Sequence, residues 1–170
     1  MKIININGPI NSGKTTVSKL LKESLPNCLF IEVDELLSDE EQEKLKLGLK
    51  EGWAERLRRL DETIGREKEL QRYQNVVFAY PMTDKLYEHW KLWQDENTQF
   101  VCITLAPKME ICMQNRGERE LTDWEKQRIA QMYAENYQAP QGADLIIDNG
   151  KQTPQETADS VMKFLKARGS

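Results

Sequence analysis

The chain has 170 residues, of which 31% are charged and 39% hydrophobic, and its formal net charge is −4. This length suits one well-buried core, so we expect a single domain over residues 1–170. No apolar run is long enough for a membrane span, the first strand follows the N-terminus directly, and no broad basic surface is evident. We therefore expect a cytoplasmic protein, a monomer or homodimer, with no nucleic-acid or membrane partner.

Strand and helix patterns alternate along the chain. Runs of high β-propensity occupy residues 3–6, 28–33, 75–80, 100–106 and 143–148. Helical patterns lie between them, and capping residues precede four of these helices, at Ser38, Thr83, Thr122 and Thr153. This alternation predicts an α/β fold, with a parallel sheet of five strands and helices on both faces.

Two helix boundaries are predicted from glycine and proline. Gly48 and Gly52 indicate a joint between the helix that begins near Ser38 and a second helix that begins at Trp53. Pro107 suits the first turn of the helix that follows the fourth strand and runs into residues 115–119. We expect the helical segment 38–73 to form the acceptor pocket and residues 114–124 to form a lid.

Residues 8–15, with the sequence GPINSGKT, match the phosphate-binding pattern G-x-x-x-x-G-K-[ST] and stand between a predicted strand and a predicted helix. In such a loop the backbone N–H groups bind phosphate oxygens, Lys14 reaches the β- and γ-phosphates, and the Thr15 hydroxyl coordinates Mg²⁺. The expected cofactors are ATP and Mg²⁺. The predicted nucleotide-binding residues of this stretch are Gly8, Asn11, Ser12, Gly13, Lys14, Thr15 and Thr16.

Asp34 is predicted to end the second strand, at the sheet edge where open α/β proteins bind their ligands. There it could accept the proton of an acceptor hydroxyl; a Mg²⁺ ligand and a helix cap are the alternatives. Arg116 and Arg119 lie between two predicted helices and are predicted to close on the γ-phosphate. The predicted catalytic residues are therefore Lys14, Asp34, Arg116 and Arg119, and the predicted metal ligands are Thr15 and Asp34.

Other reactive side chains have structural interpretations. His89 is the only histidine and has no ligand pattern beside it, so we expect it to be structural or exposed. Cys28, Cys102 and Cys112 form no C-x-x-C pair, and we expect buried, reduced thiols. Arg56, Arg58 and Arg59 are expected to be mostly solvated, although one that faced the cleft would suit an anionic or polyhydroxyl acceptor. None of these residues predicts a metal site.

The stretch GPINSGKTT, the strand that ends in Val33-Asp34 and the arginine pair resemble the small P-loop kinases grouped with shikimate, gluconate and adenylate kinases. Leu25-Pro26 before the second strand adds a likeness to the chloramphenicol phosphotransferases. The resemblance implies the strand order 2-3-1-4-5, Asp34 as the base, a lid arginine that closes on ATP, and a loop around Asn149 near the adenine. One departure is that the third strand ends in Phe78-Ala79-Tyr80-Pro81 and lacks the acidic residue or glycines that many relatives have there.

The predicted function is ATP-dependent transfer of the γ-phosphate to a hydroxyl of a small molecule, such as an antibiotic, a sugar or a similar metabolite. A nucleoside or nucleoside-monophosphate kinase and a non-catalytic ATP-binding module are the alternatives. A regulatory GTPase is disfavoured because the sequence contains neither D-x-x-G nor N-K-x-D. The sequence leaves the acceptor open.

Overall fold

Five strands form one parallel sheet in the order β2-β3-β1-β4-β5. The structure, a computed structural model, describes residues 1–115 and 120–168. The strands are β1 (Lys2–Asn7), β2 (Cys28–Ile31), β3 (Asn75–Ala79), β4 (Gln99–Leu105) and β5 (Leu145–Ile147). The predicted fold class and strand order are both confirmed, and the central strand β1 leads directly into the phosphate-binding loop.

Helices connect the strands. They are α1 (Lys14–Ser24), α2 (Asp39–Lys44), α3 (Leu49–Leu70), α4 (Asp84–Lys91), α5 (Met109–Cys112), α6 (Asp123–Ala134) and α7 (Pro154–Arg168), with a short 3₁₀ helix at Val33–Leu36. The four predicted capping residues each accept a hydrogen bond from the amide three residues further on. The capping pattern therefore predicts these helix starts correctly.

The two faces of the sheet bury separate apolar clusters. Ile4 and Ile6 of β1 pack on one face with residues of α1 and α7. Ile3 of β1 packs on the other face with residues of β3, α3 and α4. Successive side chains of a strand point to opposite faces, so Asn5 and Asn7 share the face of Ile3. Both asparagines are fully buried, which makes this face polar at the end nearest the phosphate loop.

The structure corrects several predicted boundaries. Strand β2 ends at Ile31, so Asp34 lies in the 3₁₀ helix and not at the strand end. Helix α3 begins at Leu49, and Gly52 lies within it instead of at a joint. A Cβ at Gly52 would lie 2.5 Å from Oε1 of Gln42 in α2, so glycine allows the two helices to approach closely. Helix α5 begins only at Met109, after Pro107, and ends at Cys112.

The cysteines and the histidine lie in different environments. The three cysteines are thiols; Cys102 and Cys112 are buried as predicted, whereas Cys28 is only partly buried. His89 is exposed, and its Nε2 lies 3.0 Å from both carboxylate oxygens of Asp61. Within residues 1–115 and 120–168, no helix is both long and apolar enough to cross a membrane.

Candidate active site

The loop between β1 and α1 has the backbone geometry of a phosphate cradle. Gly8, Asn11 and Gly13 have positive φ angles of 145°, 64° and 93°. A Cβ at Gly8 would lie 2.5 Å from the carbonyl oxygen of Leu105, so no side chain fits there. Helix α1 begins immediately after Gly13, and its positive N-terminal end therefore faces the same space as the loop amides.

A cavity of about 370 Å³ lies over this loop and is lined by residues 11–17 together with Asn149, Gln152 and Pro154. Nδ2 of Asn149 donates to the carbonyl oxygen of Ser12 at 3.0 Å. Among the described residues, the buried atoms Oγ of Ser12 and Oδ1 of Asn149 have no hydrogen-bond partner. Buried polar atoms without partners and a cradle that excludes a Cβ both fit a nucleotide phosphate chain.

Most of the predicted nucleotide-binding residues, namely residues 11–16 and Asn149, therefore line one cavity, whereas Gly8 is not part of its lining. Lys14 is half-buried, and its Nζ donates to the carbonyl oxygen of Pro9 at 2.7 Å, which holds the ammonium beside the loop. Thr16 is exposed at the edge of the cavity. Asn11 donates through Nδ2 to the carbonyl oxygens of Cys112 and Gln114, so the loop is tied to the C-terminal end of α5.

Glu32 is a site residue that the sequence interpretation missed. The Thr15 side chain acts on its carboxylate and lowers the pKa of Glu32, but by less than burial raises this pKa. Burial raises the pKa of Glu32 above its usual value of 4.5, and the negative charge of Asp34 raises this pKa further. The available signal was the spacing Glu32-Val33-Asp34, which places two carboxylates beside the phosphate loop.

The oxygen atoms of Thr15, Glu32 and Asp34 are the hard ligands that Mg²⁺ prefers. In the part of the chain that the structure describes, no group of three or more His, Cys, Asp or Glu residues could enclose a metal ion. A Mg²⁺ ion here would therefore depend on nucleotide phosphates and water, with Thr15 and the two carboxylates as its protein partners, which is how Mg²⁺ is usually held.

Asp34 is exposed, and its negative charge reaches two other side chains. It raises the pKa of Glu32 and contributes to a raised pKa of Tyr80. Tyr80 reaches a pKa of about 12, mainly through burial and then through the charges of Tyr137 and Asp34. The Tyr80 hydroxyl therefore stays protonated at neutral pH.

Trp53, Tyr80 and Tyr137 come from three distant parts of the chain, and we call them the aromatic cluster. The rings of Trp53 and Tyr80 have centroids 5.9 Å apart at an angle of 58°. The Tyr137 ring lies 5.5 Å from the guanidinium carbon of Arg128. Tyr137 is near enough to Tyr80 that its phenolate form, at high pH, would raise the pKa of Tyr80. All three side chains are partly exposed, so each has surface that a ligand could contact.

The arginines of α3 are bound to other protein groups. Arg56 is buried; its guanidinium donates to the Leu37 carbonyl oxygen and to Gln42, and lies 5.0 Å from the centre of the Trp53 ring. Arg58 and Arg59 form ion pairs with glutamates of α2 and α3. The expected solvation of these arginines is thus wrong for Arg56. The predicted lid residues Arg116 and Arg119 lie outside the described residues.

Known proteins share this architecture. The chain is similar to shikimate kinase from Aquifex aeolicus, with 21% identity, coverage of 99% of this chain and 98% of that chain, and a TM-score of 0.61. It is also similar to a sugar kinase from Janibacter sp., with 16% identity, coverage of 98% and 95%, and a TM-score of 0.70. A tunicamycin resistance protein from Deinococcus radiodurans has 17% identity, coverage of 96% and 95%, and a TM-score of 0.63.

At these identities the structural likeness establishes the fold. The family follows from the sequence itself, because the family model described as shikimate kinase matches residues 10–166, nearly the whole chain. The predicted resemblance to the small P-loop kinases is therefore confirmed. The chain belongs to the shikimate kinase family, whose members are ATP-dependent small-molecule kinases that use Mg²⁺.

Proposed function

We propose that the protein transfers the γ-phosphate of ATP to a hydroxyl group of a small molecule that binds beside the aromatic cluster, with Asp34 as the general base. The observation that carries this proposal is the position of Asp34. Its charge acts on Glu32, which contacts the phosphate-loop residue Thr15, and on Tyr80 of the aromatic cluster. These two effects support our proposal that the Asp34 carboxylate is close to both the triphosphate and the acceptor.

On the nucleotide side, the loop amides and the N-terminal end of α1 bind phosphate oxygens. Lys14 moves from the Pro9 carbonyl oxygen to the β- and γ-phosphates and offsets their charge. Asn149 holds the loop through Ser12, close to the base of the nucleotide. Mg²⁺ supplies charge neutralisation at the transferred phosphoryl group, and Thr15, Glu32 and Asp34 are its proposed protein partners.

On the acceptor side, the Asp34 carboxylate accepts the hydrogen bond of the acceptor hydroxyl. This contact orients the oxygen for in-line attack and takes its proton as the bond to phosphorus forms. The exposure of Asp34 leaves its carboxylate accessible for this contact. A role of Asp34 in Mg²⁺ binding alone is the main alternative, and it predicts a changed Mg²⁺ dependence without a selective loss of transfer.

The aromatic cluster favours an acceptor that has an apolar or flat face beside its hydroxyl. Trp53 comes from the segment 38–73, which we propose as the acceptor-binding part of a single domain. Arg56, Arg58 and Arg59 are already bound to protein groups. Within the described part of α3, these arginines therefore give little support to an acceptor phosphate and to the nucleoside-monophosphate kinase alternative.

The test is incubation with ATP and Mg²⁺ against shikimate, gluconate, chloramphenicol, uridine and uridine monophosphate, with mass spectrometry of the products. We expect a phosphate adduct on at least one acceptor that carries no phosphate group, and no adduct with Lys14→Ala. An adduct on uridine monophosphate alone would support a nucleotide kinase instead. Stabilisation by ATP without any adduct would support a non-catalytic ATP-binding module.

A further inference from the structure

Asn7 is the last residue of β1 and stands immediately before Gly8 of the phosphate loop. It is fully buried, and its side-chain amide contacts three separate segments of the chain. Its Oδ1 accepts a hydrogen bond from the backbone N–H of Met82, at 2.6 Å. Its Nδ2 donates to Oγ1 of Thr104 at 2.8 Å and to the carbonyl oxygen of Tyr137 at 3.2 Å.

The chemistry of these partners requires a side-chain amide. The Met82 N–H can only donate and the Tyr137 carbonyl can only accept, so the side chain at position 7 must present both an acceptor and a donor. A leucine of similar size satisfies neither partner, and an aspartate would place a carboxylate oxygen against the Tyr137 carbonyl. Because buried polar groups are costly unless they are hydrogen-bonded, the three bonds hold these segments together.

Two of the segments that Asn7 holds carry residues of the aromatic cluster. Tyr137 is held directly through its carbonyl oxygen. Met82 follows Tyr80 by two residues, and the Tyr80 carbonyl oxygen accepts a further hydrogen bond from Nδ2 of Asn5, at 3.1 Å. The strand that leads into the phosphate loop therefore also holds the backbone of the proposed acceptor site.

We propose that Asn7 is a positioning residue that fixes the aromatic cluster relative to the phosphate loop, and so sets the distance between the acceptor hydroxyl and the γ-phosphate. This inference rests on the proposed function. Asn7 is enclosed by protein and acts only through the residues it holds. Phosphoryl transfer is sensitive to such positioning, since a displacement of about 1 Å between reacting groups can lower the rate roughly 10²-fold.

The experiment compares Asn7→Leu with wild type on the acceptor from the panel above that wild type phosphorylates fastest. We expect kcat/KM for that acceptor to fall roughly 10²-fold. The affinity for ATP and the slow hydrolysis of ATP by water should stay within about threefold, because the loop itself is unchanged. The ratio of transfer to hydrolysis is thus the readout that a general loss of stability would not move.

Asn75→Leu is the matched control. Asn75 is also a buried strand asparagine, and its Nδ2 donates to the carbonyl oxygen of Pro26 at 2.8 Å. It begins β3, however, and so lies at the N-terminal end of the strands, away from the phosphate loop. We expect Asn75→Leu to lower the melting temperature and to leave the ratio of transfer to hydrolysis unchanged. If Asn7→Leu does not fold, Asn7→Asp retains the volume and the Met82 bond and should lower the ratio roughly tenfold.

The outcomes separate the two proposals. If wild type phosphorylates an acceptor and both Asn7 variants keep the wild-type ratio, the role of Asn7 is overturned while the kinase function stands. An equal loss of ATP affinity and of transfer would also overturn it, since that result indicates damage to the loop. If wild type phosphorylates no member of the panel, the proposed function fails and the role of Asn7 falls with it.

Discussion

The nucleotide side of the site and its proposed acceptor side are built in different ways. The nucleotide side is almost one continuous stretch, residues 8–16, with Asn149 added from the C-terminal part of the chain. The acceptor side takes Asp34 from a 3₁₀ helix, Trp53 from α3, and Tyr80 and Tyr137 from two loops. A continuous stretch has its geometry set by local rules, whereas a group gathered from four segments depends on the whole sheet.

Lys14→Ala tests the nucleotide side and should have the largest effect. Removal of the ammonium takes away charge that the transferred phosphoryl group needs, so we expect kcat for transfer to fall by about 10³-fold. Steady-state kinetics with the best panel acceptor measures this effect. Lys22→Ala, an exposed position on the same helix, is the control and should keep transfer within about twofold. Equal losses in both variants would contradict the assignment of Lys14.

Gly8→Ala tests whether the loop geometry tolerates a side chain. The φ angle of 145° and a Cβ contact of 2.5 Å with the Leu105 carbonyl oxygen predict a loss of about 3 kcal/mol in the free energy of unfolding. Urea unfolding measures it. Gly48→Ala is the control, because Gly48 has negative φ and a Cβ there meets only the flexible Glu51 side chain. Its cost should be under about 1 kcal/mol.

Glu32→Gln tests whether the Glu32 carboxylate helps to hold Mg²⁺. Loss of the carboxylate beside Thr15 should raise the Mg²⁺ concentration for half-maximal activity about tenfold. In wild type the raised pKa means that Glu32 is half-protonated at a pH above 4.5, so activity should fall as the pH decreases from neutral. The variant should lose this part of the pH profile. Glu23→Gln, at an exposed glutamate near the C-terminal end of α1, is the control.

The same pKa shift predicts the stability of Glu32→Gln. A carboxyl group with a raised folded pKa contributes stability below its unfolded pKa and loses that contribution as the pH rises through its folded pKa. At neutral pH the charged Glu32 therefore opposes folding, through burial and through repulsion from Asp34 and Glu35. We expect a higher melting temperature for Glu32→Gln than for wild type at pH 7, together with weaker Mg²⁺ dependence. A lower melting temperature would contradict this explanation.

Trp53→Leu tests the acceptor side and should have the smallest effect. Loss of the ring removes part of the contact surface of the aromatic cluster, so we expect KM for the acceptor to rise about fivefold with KM for ATP unchanged. Tyr73→Leu is the control, because Tyr73 is partly buried at the opposite end of β3. An equal change in both KM values of Trp53→Leu would place Trp53 outside the acceptor site.

Much of the fold could be predicted from the sequence because its signals are local. The apolar runs predict five strands, and the capping residues Ser38, Thr83, Thr122 and Thr153 predict helix starts that the structure confirms. The strand order came from the family resemblance. Local signals failed where a contact with a distant segment decides the outcome, as at Gly52, where Gln42 of α2 packs against the helix.

The site, too, could be predicted only where its signals are local. Residues 8–15 follow a fixed spacing, so the motif alone predicts the loop between β1 and α1. The neighbours of Asn7 and Tyr80 depend on strand register and on loops 75 or more residues away, so neither residue had a local signal. The role of Asp34 stays a prediction, and its predicted place at the end of a strand is wrong because β2 ends earlier than its β-propensity indicates.

The central claim is that the Asp34 carboxylate is the base that takes the proton of the acceptor hydroxyl. The direct test is the rate of phosphate transfer by Asp34→Asn, measured beside its affinity for ATP at saturating Mg²⁺. We predict that transfer falls roughly 10²-fold or more while the dissociation constant for ATP stays within about threefold, since the amide retains the shape and loses the basicity. Transfer at the wild-type rate by Asp34→Asn would contradict the account.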